Sequence, residues 1–248
     1  MTDLAETAPI ETPALSETQR VLDVFVAPSK TFIDIRRKAT FWGPLVIMIV
    51  VCVLFSFAVQ QKIGWERVFE NNIHQTPSKE EKIDSAPNAE SIKAISAKVT
   101  AVASYGYFAI VLLFTLIYAL LIWASVNFGF GGTSKYGQIY AVSFYAGVVM
   151  NIKFLLGLIA IFAGLAPESF LINNPVGTNI GYYLSTDAPK WLAALCMHID
   201  LFEIWSLVLS VIGVSIVARV SRGKAAAVVV GWWVIVVLVT VGAAAASS

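Results

Sequence analysis

Near its C-terminal end the chain carries two long apolar runs that are separated by a short basic segment. Residues 204–217 are apolar except for three serines and one glycine, and residues 225–246 contain no charged side chain. Arg219, Arg222 and Lys224 lie between the two runs. Each run approaches the length that a helix needs to cross the hydrocarbon layer of a bilayer. Two such runs joined by positive residues predict a membrane hairpin rather than part of a water-soluble core.

The composition extends this prediction to the whole chain. Of its 248 residues, 58% are hydrophobic and 13% are charged, and the mean hydropathy is +0.76. Soluble domains carry about 25% charged residues. The formal net charge of +1 supplies no basic field for a nucleic acid, so we expect no nucleic-acid partner. We predict an all-α integral membrane protein.

The hydropathy pattern predicts five membrane-spanning helices. Each is close to the roughly 20 residues that a hydrocarbon layer of ~30 Å requires. The predicted spans are residues 43–59, 105–126, 148–165, 201–217 and 225–242. Aromatic residues near several predicted edges, among them Trp42, Trp65 and Trp191, are typical of the interface between membrane and water. Trp232 and Trp233 lie well inside the fifth span, where packing against a neighbouring helix would explain them.

The distribution of positive charge predicts the orientation of the chain. One basic group precedes the first span, and a second, formed by Arg219, Arg222 and Lys224, separates the fourth span from the fifth. With five spans both groups lie on the same side, which the positive-inside rule makes cytoplasmic. We therefore predict a multi-pass protein of the inner (cytoplasmic) membrane, with its N-terminus in the cytoplasm and its C-terminus outside.

Three regions organise the chain. Residues 1–15, acidic and rich in Pro, Thr and Ala, are predicted to be a disordered tail. Residues 16–42 are predicted to form cytoplasmic amphipathic helices, and residues 43–246 the membrane domain. Within this domain the outer loop, residues 60–104, carries two helical patterns separated by prolines. These patterns predict a helical hairpin outside the membrane.

The segment before the first span has the pattern of an amphipathic helix that begins at Pro28. Phe32 and Ile35 share one face of this helix. The basic residues surround the other face: Lys30, Arg36, Arg37 and Lys38. A basic amphipathic helix beside a span is typical of a helix that lies on the anionic inner leaflet. The alternative is a helix that serves only to fix the topology.

The sequence contains no recognisable set of catalytic residues. There are two histidines, and no zinc-protease, nucleophile-elbow, phosphate-loop or dinucleotide-binding motif. The glycines of residues 127–132 follow an apolar helix and predict a turn between spans. Cys52 and Cys196 lie in apolar surroundings and show no metal-ligand spacing. We therefore expect a protein that is not an enzyme and that holds no metal and no cofactor.

Three ionisable residues at membrane depth form the candidate site. Lys153 falls inside the third span, and Asp200 and Glu203 lie at the start of the fourth. Charged groups in the hydrocarbon layer are costly and often mark a path for an ion or a substrate. One interpretation is that Lys153 pairs with Asp200 or Glu203 in a polar cavity. The other is that Asp200 and Glu203 cap the fourth helix at the outer interface.

Small residues on two spans favour close helix contacts. Ser206, Ser210 and Gly213 lie along one stripe of the fourth span, and Ala227 and Gly231 are about one helical turn apart on the fifth. Such surfaces let membrane helices approach each other closely. Packing within one chain is the simplest explanation, and assembly of a homo-oligomer is the alternative.

Several segments of the chain are informative together. Residues 24–32 (VFVAPSKTF) come first, and residues 41–44 (FWGP) lead into the first span. Residues 136–147 precede the third span, and residues 200–205 (DLFEIW) open the fourth. In this order and at this spacing they resemble the Yip domain family of Ypt/Rab-interacting integral membrane proteins, over residues 20–243.

This resemblance implies five spanning helices with a cytoplasmic N-terminus, in agreement with the charge argument. Eukaryotic members of the family are associated with Rab GTPases and vesicle trafficking. The chain departs from their pattern, because residues 135–138 (KYGQ) stand where those members have a Tyr-Gly-Tyr signature, and the acidic aromatic motif before the first span is missing. It is more similar to the bacterial branch.

Two functional hypotheses follow. The first is a non-enzymatic interaction or membrane-organising factor of trafficking type, whose partners are membrane lipids and a protein that the sequence does not identify. The second is a transporter or channel for a small solute or ion that uses Lys153, Asp200 and Glu203. Neutralising these three charges should abolish transport, whereas an interaction factor should tolerate the change as long as it folds.

Overall fold

The computed structural model describes residues 14–185 and 187–246, and helices make up nearly all of its regular structure. No β-strand forms within these two ranges. The predicted disordered tail lies outside them except for residues 14 and 15. The helices are α1 Glu17–Val26, α2 Pro28–Arg37, α3 Trp42–Lys62, α4 Trp65–His74, α5 Pro77–Asp84, α6 Ala89–Tyr105, α7 Tyr107–Ala124, α8 Tyr136–Gly147, α9 Asn151–Phe162, α10 Lys190–Met197, α11 Leu201–Ala218 and α12 Arg222–Ala246.

Five helical segments are long and apolar enough to cross a membrane, which confirms the predicted number of spans and the all-α class. They are Trp42–Lys62, Tyr107–Gly129, Tyr136–Phe162, Leu201–Ala218 and Arg222–Ala246. They alternate in direction, so α3, α8 and α12 begin at one end of the bundle, which we name the N-terminal end. We name the opposite end, where α4–α6 lie, the distal end.

The third span begins earlier than predicted. Its helix starts at Tyr136 and passes through a 3-10 turn, Val148–Met150, into α9. Residues 136–147 lie outside the predicted span, and polar side chains among them have partners within the bundle. Tyr136 donates its hydroxyl to the carbonyl oxygen of Leu116 at 2.9 Å, and Ser143 donates to that of Ile139 at 3.0 Å. Because these groups are satisfied by protein, the helix continues through them.

The main core lies at the N-terminal end, where α1 and α2 pack on α8 and α11. Phe32 of α2 is fully buried there. A methyl group placed on Gly213 of α11 would lie 3.0 Å from the ring of Phe32 and 2.5 Å from Cγ1 of Val142 in α8. The small-residue position on the fourth span therefore admits an aromatic ring from the same chain.

A second core closes the distal end. The predicted hairpin is formed by α4 and α6, with the short helix α5 between them. Val68 of α4 and Phe170 of the segment after α9 are fully buried against Phe55 and Val59 of α3. The amide of Asn71 donates to the carbonyl oxygens of Pro167 at 2.7 Å and Phe170 at 2.9 Å. The hairpin is thus joined to the loop that follows the third span.

The predicted turn at residues 127–132 follows a π-helical turn, Ser125–Gly129, at the end of α7. The amide of Asn127 donates to the carbonyl oxygen of Ser134 at 2.8 Å and accepts from its backbone N–H at 3.1 Å. Gly131 has a φ of +70°, which a glycine adopts without steric cost. These features let the chain reverse between the second and third spans.

We expect Gly213→Ala to destabilise the bundle by about 1–3 kcal/mol, because the added methyl group overpacks the contact with Val142 and Phe32. The free energy of unfolding in detergent micelles measures the effect. Gly231→Ala is the matched control, since its added methyl group meets no atom within 4 Å. Equal losses in the two variants would contradict the close contact.

Candidate functional site

Asp200 begins α11 at the distal end, and both of its carboxylate oxygens are occupied. Oδ1 accepts hydrogen bonds from the backbone N–H groups of Phe202 at 2.9 Å and Glu203 at 3.3 Å. Oδ2 accepts from the hydroxyl of Thr178 at 2.6 Å and from Nζ of Lys153 at 3.1 Å. Asp200 is only 1% exposed, so these four contacts take the place of water.

The charge of Asp200 is stabilised by these neighbours. Burial by itself acts to raise the pKa of Asp200, but the hydrogen bonds from Thr178 and Lys153 and the ammonium charge outweigh it. The pKa therefore lies below the usual range of an aspartate. An ionised Asp200 beside a lysine ammonium forms a buried ion pair between the third and fourth spans.

Glu203 belongs to a different group. Its Oε1 accepts a hydrogen bond from the indole N–H of Trp233 at 2.6 Å and lies 3.0 Å from Nδ1 of His198. The other ring nitrogen of His198, Nε2, lies 3.0 Å from the hydroxyl of Thr240. Glu203 therefore connects α11 to α12 and to the end of the segment that carries α10. Trp233 lies inside its span because its indole has a polar partner there.

The structure thus separates the three residues that the sequence places in one candidate cluster. Lys153 and Asp200 are in contact, and Glu203 is engaged with His198 and Trp233. Capping and pairing, the two alternatives for Asp200, both occur in the structure. Its Oδ1 caps α11 and its Oδ2 pairs with Lys153.

A second polar cluster, at the N-terminal end, is built around the buried side chain of Arg20. Its Nε donates to Oδ2 of Asp34 at 2.7 Å, and its Nη1 lies 3.2 Å from Oε1 of Glu17 and also donates to the hydroxyl of Thr40. Arg20 is 1% exposed. The cluster therefore joins α1, α2 and the segment that leads into α3.

Glu17 extends this cluster to the membrane helices. Its Oε2 accepts a hydrogen bond from the hydroxyl of Tyr145 in α8 at 2.6 Å and from the backbone N–H of Gly43 in α3 at 3.0 Å. Burial acts to raise the pKa of Glu17, but the hydrogen bonds from Thr40, Tyr145 and Gly43 and the charge of Arg20 hold this pKa below its usual range. Glu17 therefore remains an anion that draws the two N-terminal helices onto the bundle.

Sequence reasoning missed this cluster. The spacing of Glu17 and Arg20 is visible as an i, i+3 pair on α1, which is a usable signal. The contacts with Asp34 and Tyr145 depend on how α1, α2 and α8 pack against each other, and no local pattern contains that information.

In the candidate membrane-surface helix, α2, the two apolar side chains of the predicted lipid face are buried in protein and the basic side chains are exposed. Phe32 and Ile35 are fully buried in the main core, so they contact protein rather than an open face. The basic side chains remain outside: Lys30, Arg36, Arg37 and Lys38 are exposed. The apolar contact with lipid that the sequence assigns to Phe32 and Ile35 is thus replaced by packing on α8 and α11, and the seating of α2 on lipid stays a prediction.

Among the residues that the structure describes, no group of three His, Cys, Asp or Glu side chains is arranged to hold a metal ion.

The Yip1 domain family model matches residues 22–244, which covers most of the 248-residue chain. Comparisons with curated proteins and with solved structures give no match.

Removing the charge of Arg20 should release α1 and α2 from the bundle. In Arg20→Met the carboxylate of Asp34 stays buried without its partner, and such a change typically costs about 3–5 kcal/mol. We expect faster tryptic cleavage after Lys30 in the purified protein. The control is Arg67→Met, whose pair with Glu70 is exposed on both sides, and it should cleave after Lys30 at the native rate. Unchanged cleavage in Arg20→Met would contradict this role.

A double-mutant cycle measures the pair of Lys153 and Asp200. Lys153→Met leaves a buried carboxylate and should cost about 3 kcal/mol, whereas adding Asp200→Asn should restore part of the loss, because the amide oxygen still caps α11. Additive effects of the two single substitutions would refute the coupling.

The pH dependence of stability tests the same pair. Since the folded-state pKa of Asp200 is lowered, the stabilisation from its ionised form is present above about pH 4 and disappears as pH falls through the folded-state pKa. In Lys153→Met this loss of stability should move to higher pH.

Proposed function

Because the chain belongs to the Yip1 domain family, we propose that it acts as a non-catalytic interaction factor of the membrane, which binds other membrane components and organises them. Membership in the family supports a membrane-associated role, and the five apolar spans agree with it. The finer assignment, to an interaction factor of trafficking type in the bacterial inner membrane, is our proposal.

The observation that carries this proposal is that Lys153, Asp200 and Glu203 are each engaged with protein groups. Each oxygen of Asp200 already accepts two hydrogen bonds, and Glu203 has two partners on neighbouring elements. An ion or substrate that passed along these residues would have to displace the bonds that cap α11 and join it to Lys153. Charges held in this way serve the packing of the helices. A helical bundle with exposed surfaces at both ends suits a binding role better than a conducting one.

The orientation in the proposal follows from charge. The basic residues of the distal loop, residues 60–104, are matched by an equal number of acidic ones. At the N-terminal end, by contrast, exposed basic residues follow or flank the spans on α2, at the turns and at the start of α12: Lys30, Arg36, Arg37, Lys38, Lys135, Arg219, Arg222 and Lys224. By the positive-inside rule this end faces the cytoplasm. The distal hairpin α4–α6 then faces the outside and offers a second surface for a partner.

The alternative is a transporter or channel, in which Lys153 and Asp200 would be needed for flux rather than for packing. If these residues conduct, the variant Lys153→Met/Asp200→Asn loses flux although it folds. If they serve packing, the same variant keeps its binding partners. Folding is followed independently by the unfolding transition, so a loss of either activity is not confused with a loss of structure.

Site-specific photo-crosslinking in native membranes tests the proposal. A photoreactive residue replaces Lys135, in the turn before α8, or Ile95 on α6, both of which are exposed. We expect a discrete protein adduct from at least one position, and the same adduct in Lys153→Met/Asp200→Asn. The control position is Leu113 on α7, an exposed apolar residue in a span, which should react with lipid. Absence of a protein adduct at both positions, together with solute flux in liposomes that the double variant lacks, would favour the transporter.

A further inference from the structure

Helix α2 has two distinct faces. One face is buried and contains Thr31, Phe32 and Ile35. At about 100° per residue, the side chains that point away from the bundle fall within one third of the helix circumference. These outward side chains are Lys30, Ile33, Arg36 and Arg37. The outward face therefore combines positive charge with one large aliphatic side chain.

Helix α1, which packs beside α2, exposes two aliphatic side chains of its own. Leu22 and Val26 are one helical turn apart, and they are 62% and 81% exposed. Ile33 of α2 is 43% exposed. All three belong to helices whose opposite faces are already packed on the bundle through Val24 and Phe32. The exposed aliphatic groups are thus not required for docking of the hairpin.

Charge at this surface is strongly one-sided. The acidic residues of α1 and α2 are engaged with basic residues of the same hairpin: Glu17 and Asp34 with Arg20, and Asp23 with Lys30 at 2.9 Å. Arg36 and Lys38 project from the end of α2, and the backbone carbonyl of Arg36 accepts a hydrogen bond from Gln138 of α8 at 2.8 Å. Basic side chains therefore lie at the level where α8 begins its span.

We infer that the outward face of α1 and α2 is a binding surface for anionic phospholipids, in which Leu22, Val26 and Ile33 enter the acyl boundary and the basic residues contact lipid phosphates. A helix with exposed aliphatic groups beside Lys and Arg lies in the membrane interface at a depth of about 5–10 Å. Trp42, which opens α3 and is 60% exposed, marks the same interface close to the hairpin. A water-soluble partner is less suited to this surface, because it adjoins the entry of a span into lipid.

The hairpin meets the lipid as a preformed surface. The cluster around Arg20 and the contact between Phe32 and Gly213 fix it to α8 and α11, so no folding accompanies lipid binding. Its depth is set by the bundle rather than by its own insertion. Leu22, Val26 and Ile33 thus take the lipid-facing role that the sequence pattern predicts for Phe32 and Ile35, which are buried.

Depth measurement by spin labelling tests the position of this surface. Single cysteines replace Val26, Ile33 or Lys82 in a full-length chain whose native cysteines, Cys52 and Cys196, are changed to alanine. The protein is reconstituted into vesicles of phosphatidylcholine with phosphatidylglycerol, which have the same lipids in both leaflets, so the direction of insertion does not affect the result. Collisions of each label with oxygen and with a water-soluble nickel chelate report depth.

We expect labels at residues 26 and 33 to be more accessible to oxygen than to nickel, and the label at residue 82 on α5 to show the reverse. Nickel accessibility at residue 26 equal to that at residue 82 would overturn the inference. Shielding of residue 26 from both reagents would also overturn it, because the surface would then be covered by a second copy of the protein.

The charge requirement is tested with spin-labelled phosphatidylglycerol. Arg36→Gln/Lys38→Gln should weaken its association with the protein by about fivefold or more, since one basic residue near an anionic surface contributes about a factor of five. The matched control, Lys79→Gln/Lys82→Gln on the exposed helix α5, should leave the association unchanged. Equal effects of the two pairs, or displacement of the lipid by millimolar inorganic phosphate, would overturn recognition of the lipid head group. These measurements need no protein partner, so their failure leaves the proposed function untouched.

Discussion

The guanidinium of Arg20 lies in the interior of the N-terminal end, and the packing of this end depends on it. Arg20 cannot be buried as a neutral group, so burial requires that carboxylates from other segments come to it. Asp34 comes from the next helix, and Glu17, which also binds Tyr145 and Gly43, ties the pair to the spans. The hairpin α1–α2 is thereby part of the bundle and forms one wall of its main core.

At the distal end the buried charge is negative, and its partner from another segment is positive. There a carboxylate, Asp200, is buried, and a lysine from the third span reaches it. Apolar packing accompanies the polar contacts at each end, where Phe32 lies against Gly213 at the N-terminal end and Val68 packs with Phe55 at the distal end. A charged cluster and an apolar core thus lie together at each end of the bundle.

The spans and the cap of α11 could be predicted from the sequence, because both are written in local patterns: apolar length for the spans, and an aspartate before an apolar run for the cap. The start of the third span could not, because Tyr136, Ser143 and Tyr145 look polar until their hydrogen-bond partners are known. The partner of Lys153 was one of two open choices, and Arg20 was missed. The sequence pattern favours a lipid-facing stripe for Phe32 and Ile35, which are buried in protein, because an apolar face does not reveal whether protein or lipid covers it.

The unequal lengths of α11 and α12 bear on the thickness of the membrane that suits this protein. With 18 residues α11 is about 27 Å long, and residues 225–246, the part of α12 that carries no charge, are about 33 Å long. A hydrocarbon layer of about 30 Å is too thick for the first and too thin for the second. Because protein groups already satisfy Asp200, the short helix tolerates having its end below the head groups, while the long one must tilt. The two neighbouring spans therefore make opposite demands on the bilayer, which must thin around α11 while α12 crosses it at a tilt.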